Sequence, residues 1–308
     1  MRIIFMGTPE FAVASLAALL DAGNDIVAVV TAPDRPAGRG QKLHQSAVKQ
    51  YALAKGIPVL QPEKLRDSGF LTELSELRAD LQVVVAFRML PEVVWAMPPR
   101  GTVNLHASLL PQYRGAAPIN HAVINGETES GVTTFLLQHE IDTGHILFSE
   151  RVTIGPEDTA GDLHDRLMAV GAELLVKTVD ALASGTVEPV PQTQLSMGVE
   201  LKHAPKIFKE DCLIDWAQPV ATVHNLIRGL SPYPTAYTLL GGKTLKIFEA
   251  EKETVPPQHT PGTPYTDGKS FLKFACSNGY IVVKALQLEG KKRMDAKEFL
   301  KGYRFSSD

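Results

Sequence analysis

Asn104, His106 and Asp142 are the residues of this 308-residue chain whose types and spacing point most directly to chemistry. The first two lie in Asn104-Leu105-His106-Ala107-Ser108-Leu109-Leu110-Pro111, where a short apolar run reads as the end of a β-strand. In extended backbone, side chains two positions apart share a face, so an amide and an imidazole converge on one point. Such a pair can stabilise an oxyanion and move a proton. Asp142 sits in Ile141-Asp142-Thr143-Gly144, a turn whose glycine permits tight geometry. A carboxylate beside His106 would orient the imidazole and favour its charged form. Taken singly, each residue has a plainer reading: Asn104 and Asp142 as turn formers, His106 as a hydrogen-bonded core residue. Whether Asp142 meets His106 is a question of space that spacing leaves open.

The elements around them read as an α/β unit. Arg2–Met6, Ile26–Val30, Leu81–Phe87 and Val103–Leu105 are short apolar strands. Helical spacing runs from Phe11 to Ala22, from Ser46 to Lys55 and from Glu63 to Leu77. Strands alternating with helices predict a Rossmann-like parallel sheet with right-handed crossovers, covered on both faces. His106 then falls at the carboxyl edge of that sheet, where ligands sit in open α/β folds. Val132–Leu137 and His145–Val152 read as two strands flanking the Asp142 turn. A helix from Asp158 to Ala183 closes the first domain, taken as residues 1–187. Residues 188–205, with Pro189, Pro191 and Pro205, read as a linker. Residues 206–308 hold a helix at Val220–Leu230 and four strand-like runs, at Ala236–Leu240, Thr244–Ala250, Phe271–Ala275 and Tyr280–Leu286. Gly241-Gly242 and Asn278-Gly279 are turn signals between them, predicting a small, OB-like β-barrel.

Composition narrows the class. The net charge is −3, but from Lys206 onward there are 15 Lys and Arg against 11 Asp and Glu. A mildly basic C-terminal part hints at a polyanionic partner without establishing one. Only two cysteines, Cys212 and Cys276, are present, read as buried free thiols in a reducing, cytoplasmic setting. Gly7-Thr8-Pro9-Glu10 interrupts the first apolar run, so a strand and helix explain the N-terminus better than a signal peptide. The chain carries no GxxxxGK[ST] loop, no GxGxxG after its first strand, no GxSxG elbow and no HExxH pair. Phosphate-loop hydrolysis of nucleotides, dinucleotide binding, the α/β-hydrolase triad and that zinc site are therefore not indicated.

The combination Asn104-x-His106-x-Ser108-Leu109-Leu110-Pro111, then Arg114-Gly115, with Asp142 in an Asp-Thr-Gly turn, resembles the signature of the folate-dependent formyltransferases. The likeness runs from Arg2 to at least Met294. It implies transfer of the formyl group of 10-formyl-tetrahydrofolate to an amine, with Asn104, His106 and Asp142 catalytic and no metal. It also implies that Ser108, Leu109, Leu110 and Pro111 help hold the folate. Phe87, Arg88, Met89 and Leu90, with Glu140 and Ile141, would wall its pterin pocket. The family has an aromatic followed by glycine at the first of these stretches; Arg88 in the glycine's place is expected to narrow the pocket or add charge. Residues 33–42, Pro-Asp-Arg-Pro-Ala-Gly-Arg-Gly-Gln-Lys, resemble a loop inserted in the members that act on methionyl-tRNA. Ala204-Pro205-Lys206-Ile207, continuing to Ile214-Asp215-Trp216, and Ile227-Arg228-Gly229 leading to Pro232-Tyr233-Pro234 also resemble the corresponding stretches of those members. That resemblance implies initiator methionyl-tRNA as acceptor and a monomeric protein. Arg35, Arg39, Lys42, Lys206, Lys291, Lys292 and Arg293 are the candidate phosphate contacts. Amino-sugar nucleotides as acceptor, and hydrolysis of the formylated folate, are the alternatives that share the same three residues.

Overall fold

The computed structural model describes residues 1–37, 42–140, 142–195, 197–198 and 200–305. Two compact units emerge: Met1–Gly115 with Ser130–Val152 and His164–His203, and Ala116–Glu129 with Thr153–Leu163 and Ala204–Asp308.

The first unit is built on a seven-stranded sheet. Its strands, in spatial order, are Ile146–Thr153, Glu129–Leu136, Thr102–His106, Leu81–Val85, Arg2–Gly7, Asp25–Val30 and Val59–Leu60. From Thr102–His106 to Val59–Leu60 every neighbouring pair is parallel, whereas Glu129–Leu136 runs antiparallel to Thr102–His106. The central strands are largely apolar because helices cover both faces: Ile3, Phe5, Met6, Leu81, Val83 and Val85 are all but inaccessible, and Gln82, a buried polar side chain among them, accepts from the Thr102 hydroxyl. Each such side chain contributes roughly 1.5–3 kcal/mol by leaving water.

One helix starts later than its periodicity predicts. It spans Ser68–Glu76 rather than beginning at Glu63. The Asp67 carboxylate accepts the Phe70 amide at 3.0 Å and sets the first turn there. The long helix runs Ala160–Ser184, close to its expected limits. Residues 188–205 hold more structure than a linker: a helical turn at Gln192–Leu195, a bridge between Val190 and Ile146, and a short strand at His203–Ala204.

The second unit carries an antiparallel sheet in the order Ala236–Leu240, Lys243–Glu253, Tyr280–Leu288, Leu272–Ala275, Pro264–Thr266, with Met294–Asp295 added to Tyr280–Leu288. Register shifts near Glu249 bend its longest strand, and the sheet curls as a half-barrel over its core. The helix Val220–Gly229 lays Val223 and Ile227 into that core, where Trp216 stacks on Phe274 at 4.7 Å. Two segments from earlier in the chain belong with this unit. Asn120 donates to the Gly229 carbonyl at 2.8 Å, and Arg228 donates to the Asp158 carbonyl at 3.0 Å. Cys212 and Cys276 are buried free thiols, and burial pushes the Cys276 thiol up to about 12. Among the described residues, no helix is long and apolar enough to cross a membrane.

A buried histidine in this unit has a consequence for stability. His224 is 2% exposed; its Nε2 donates to the Ala250 carbonyl at 3.1 Å and lies 3.3 Å from Glu157. Among the described residues its Nδ1 has no hydrogen-bond partner. Burial, reinforced by Lys252 and Arg228 against the opposing pull of Glu157, lowers its pKa. A base with a depressed folded pKa binds protons more readily when unfolded, so stability falls as pH drops below the unfolded value of about 6.5. Between pH 7.5 and 5.5, calorimetry of the parent should show a Tm loss greater by on the order of 3 °C than that of His224→Gln. Equal losses in the two proteins would remove His224 as the cause.

Candidate active site

Asn104 and His106 lie on one face of the Thr102–His106 strand, with Val103 and Leu105 on the other. Leu105 packs against Gly171 of the long helix, which turns the Asn104 face the opposite way. The neighbouring parallel strand ends at Val85, opposite Leu105, so His106 stands at the carboxyl edge of the sheet. Among the described residues the half-buried Asn104 carboxamide has no hydrogen-bond partner, which leaves it available to a ligand.

His106 is 7% exposed, and its Nε2 lies 3.0 Å from the Tyr113 carbonyl oxygen. A carbonyl can only accept, so Nε2 carries a proton. Nδ1 is then the nitrogen left for chemistry, and it is protonated only when the ring is charged. Asp142 Oδ2 stands 3.9 Å from Nδ1, with both side chains about nine-tenths buried. The carboxylate thus faces the one ring nitrogen that the Tyr113 carbonyl leaves unengaged.

Asp142 is held from several sides. Its Oδ2 accepts the Gly115 amide at 3.0 Å. Its backbone is left-handed, at φ 55°, in a turn closed by Thr143 Oγ1 donating to the Glu140 carbonyl at 3.1 Å. Gly144 is required there: a Cβ would stand 1.7 Å from the Leu136 carbonyl oxygen. The Gln192 amide nitrogen donates to the carbonyls of both Asp142 and Gly144 at 2.8 Å. Gln192 has no counterpart in the sequence reading. The only local sign of it was a polar residue after Pro191 in a stretch without apolar periodicity.

The loop after His106 is braced by Thr133, whose hydroxyl donates to the Ser108 carbonyl at 2.7 Å and accepts the Leu110 amide at 3.1 Å. Ser108 is fully buried, and its hydroxyl donates to the Gln112 carbonyl at 2.6 Å. It therefore shapes the loop from inside. Leu110 packs with Phe135 and Ile146, Leu109 faces Gly131, and the Leu110–Pro111 peptide is cis. Phe87 to Leu90 leave the neighbouring strand at the same edge: Leu90 is buried, Phe87 half-buried and Met89 72% exposed. Arg88 turns away to the backbone, its guanidinium donating to the Pro62 and Glu63 carbonyls. Glu140 is exposed beside the Asp142 turn, and Ile141 lies outside the described residues.

The cationic candidates differ in their surroundings. Arg35 is exposed on a short antiparallel ribbon, Arg35–Ala37 with Lys42–His44, which also carries Lys42. Arg39 lies outside the described residues. The ribbon springs from a polar knot in which Lys49 donates to Asp34 at 2.6 Å and to Gln61 at 2.7 Å, while Gln61 donates to Asp34 at 2.8 Å. The Lys49 hydrogen bond, with that from Gln61, holds the Asp34 carboxyl below the ordinary carboxylate range. Lys206 is exposed, with its ammonium 5.2 Å from the Phe208 ring. Lys291 and Lys292 are exposed as well. Arg293 is already matched, paired with Glu249 and lying over the Phe248 ring at 4.5 Å.

The formyl transferase family model matches residues 1–179, and that of the formyl transferase C-terminal domain matches residues 206–304. The chain is 55% identical over 311 residues to the methionyl-tRNA formyltransferase of Bacteroides thetaiotaomicron, covering 99% of this chain and 97% of that protein. It is 50% identical over 315 residues to the methionyl-tRNA formyltransferase of Porphyromonas gingivalis, covering 100% and 97%. Among solved structures, the N-formyltransferase of Helicobacter canadensis, in complex with folinic acid and dTDP-3-aminofucose, superposes with a TM-score of 0.69 at 20% identity. That match covers 96% of this chain and 100% of the other. HypX of Aquifex aeolicus in complex with tetrahydrofolic acid gives 0.66 at 19% identity, covering 98% and 48%. At such identities these two likenesses speak for the fold.

Proposed function

The chain belongs to the formyl transferase family, and from that premise we propose that it transfers the formyl group of 10-formyl-tetrahydrofolate to the free amine of initiator methionyl-tRNA. The observation that carries the chemistry is the imidazole of His106, fixed between the Tyr113 carbonyl and Asp142 beside an Asn104 carboxamide that has no partner among the described residues. The acceptor rests on the relatives at half or more identity, which bear the name methionyl-tRNA formyltransferase along nearly their whole length.

The amine nitrogen attacks the formyl carbon, and negative charge grows on the formyl oxygen. Asn104 Nδ2 and the charged His106, through Nδ1, donate to that oxygen. Asp142 sustains the charge on His106 and helps remove the proton that the attacking nitrogen must lose. The bond from the formyl carbon to the tetrahydrofolate nitrogen breaks as the carbonyl re-forms, and that nitrogen leaves as the neutral amine, taking up the proton the attacking nitrogen gave up. Loops at Phe87–Leu90 and Ser108–Pro111, leaving adjacent strands at one edge, offer an apolar wall for the folate, with Glu140 and Ile141 at its rim. Arg88, directed to backbone carbonyls, contributes shape to that wall rather than a free charge.

Arg35, Arg39, Lys42 and Lys206 would meet phosphates of the acceptor. Lys291 and Lys292 would extend that footprint, and Arg293 contributes less because Glu249 neutralises it. Residues 1–187 would then hold the chemistry, residues 206–308 the tRNA surface, and residues 188–205 the connection. A monomer acting in the cytoplasm completes the reading.

Purified protein incubated with 10-formyl-tetrahydrofolate and methionyl-tRNA should formylate the methionine, with a rate that falls steeply as salt rises. Loss of the folate's formyl group without product on the tRNA would replace this reading with hydrolysis. No turnover of either kind would direct attention to amino-sugar nucleotides.

A further inference from the structure

Residues 188–205 brace the active site at three points. The Val190 and Ile146 backbones exchange hydrogen bonds at 2.8 Å in each direction. The Lys202 carbonyl accepts the Tyr113 amide at 2.7 Å, directly behind the carbonyl that holds His106. Between them Gln192, 2% exposed, reaches the Asp142 turn.

The orientation of the Gln192 carboxamide follows from its neighbours. The Arg114 guanidinium, which can only donate, places Nε at 3.0 Å and Nη2 at 2.6 Å from Oε1. The carbonyls of Asp142 and Gly144, which can only accept, each lie 2.8 Å from Nε2. Flipping the amide would set donor against donor and acceptor against acceptor. Both carbonyls flank the left-handed backbone that aims the Asp142 side chain. Without this clamp, two buried carbonyls lose their donor and the turn is free to relax.

We propose that Gln192, locked by Arg114, is a positioning residue that fixes the Asp142 carboxylate against His106. The proposal rests on the formyl-transfer reading of this site. Gln192→Glu keeps size and the Arg114 contact but turns an acceptor onto both carbonyls. Gln192→Met removes the hydrogen bonds without adding charge. A displacement of about an ångström in a catalytic group can cost roughly a hundredfold in rate. Both variants should therefore lose roughly ten- to a hundredfold in kcat. KM for the folate and for methionyl-tRNA should stay within about threefold, and melting within a few degrees of the parent. In both variants the His106 imidazole nitrogen signals should shift in NMR spectra of the histidine-labelled protein, while those of His224 stay in place. A Gln192→Met protein with parental kcat and an unmoved His106 signal overturns the proposal. So does a loss that appears wholly in KM or in melting. The NMR comparison needs no turnover: a parent that fails to formylate methionyl-tRNA would sink the function, while the His106 signal would still decide the role of Gln192.

Discussion

Asn104→Ala is expected to lower kcat for methionyl-tRNA formylation by roughly a hundred- to a thousandfold, with KM for the folate within a few-fold of the parent. Asn104 lies on the same face as His106 at the open carboxyl edge, and among the described residues its carboxamide has no internal partner. Removing it therefore leaves no buried protein group unsatisfied, and the fold should lose little. The loss should fall on the transition state, where charge builds on the formyl oxygen and a preorganised donor is worth about 3–4 kcal/mol. Steady-state kinetics beside a thermal melt separates the two. Undiminished kcat would remove Asn104 from the mechanism.

The second large effect is expected at Asp142. Asp142→Asn retains volume and an oxygen able to accept the Gly115 amide, but removes the charge 3.9 Å from His106 Nδ1. The Tyr113 carbonyl keeps a proton on Nε2, so Nδ1 can donate only in the imidazolium. Loss of the carboxylate thus takes away the group that faces Nδ1 and, on the proposed mechanism, a route for the amine's proton. A fall in kcat of roughly a thousandfold or more is expected, comparable to losses seen when the carboxylate that orients a catalytic histidine is neutralised elsewhere. Single-turnover formylation with the folate saturating reads the chemical step directly. A loss below about tenfold would mean that His106 acts without Asp142.

The Asn104–Pro111 motif is local. Residue alternation along one strand suffices to bring the first two polar groups together, and the end of an apolar run places them at a sheet edge. Six of the seven strands of the first sheet are legible as apolar runs, and the edge strand Val59–Leu60 is too short to show one. Periodicity misplaced the start of the Ser68–Glu76 helix, because a single carboxylate cap decides where the first turn forms. The helix Pro118–Ile124 and the strands Pro264–Thr266 and Met294–Asp295 were missed as well. Elements this short carry too few residues to display a period, and partners remote in sequence stabilise them.

The amino-acid sequence by itself determined the fold class of the first unit, the edge where chemistry belongs and the residue types that could perform it, since all three follow from patterns within one or two elements. Only the tertiary structure decided that Asp142 stands beside His106 and that Tyr113 takes its Nε2. It likewise decided that Arg88 is turned to backbone carbonyls and that Gln192 reaches the Asp142 turn from a stretch that reads as a linker. All but the Tyr113 contact, which spans seven residues, join segments tens of residues apart. They arise because buried donors and acceptors must be paired wherever the fold brings them, and no local pattern records that requirement.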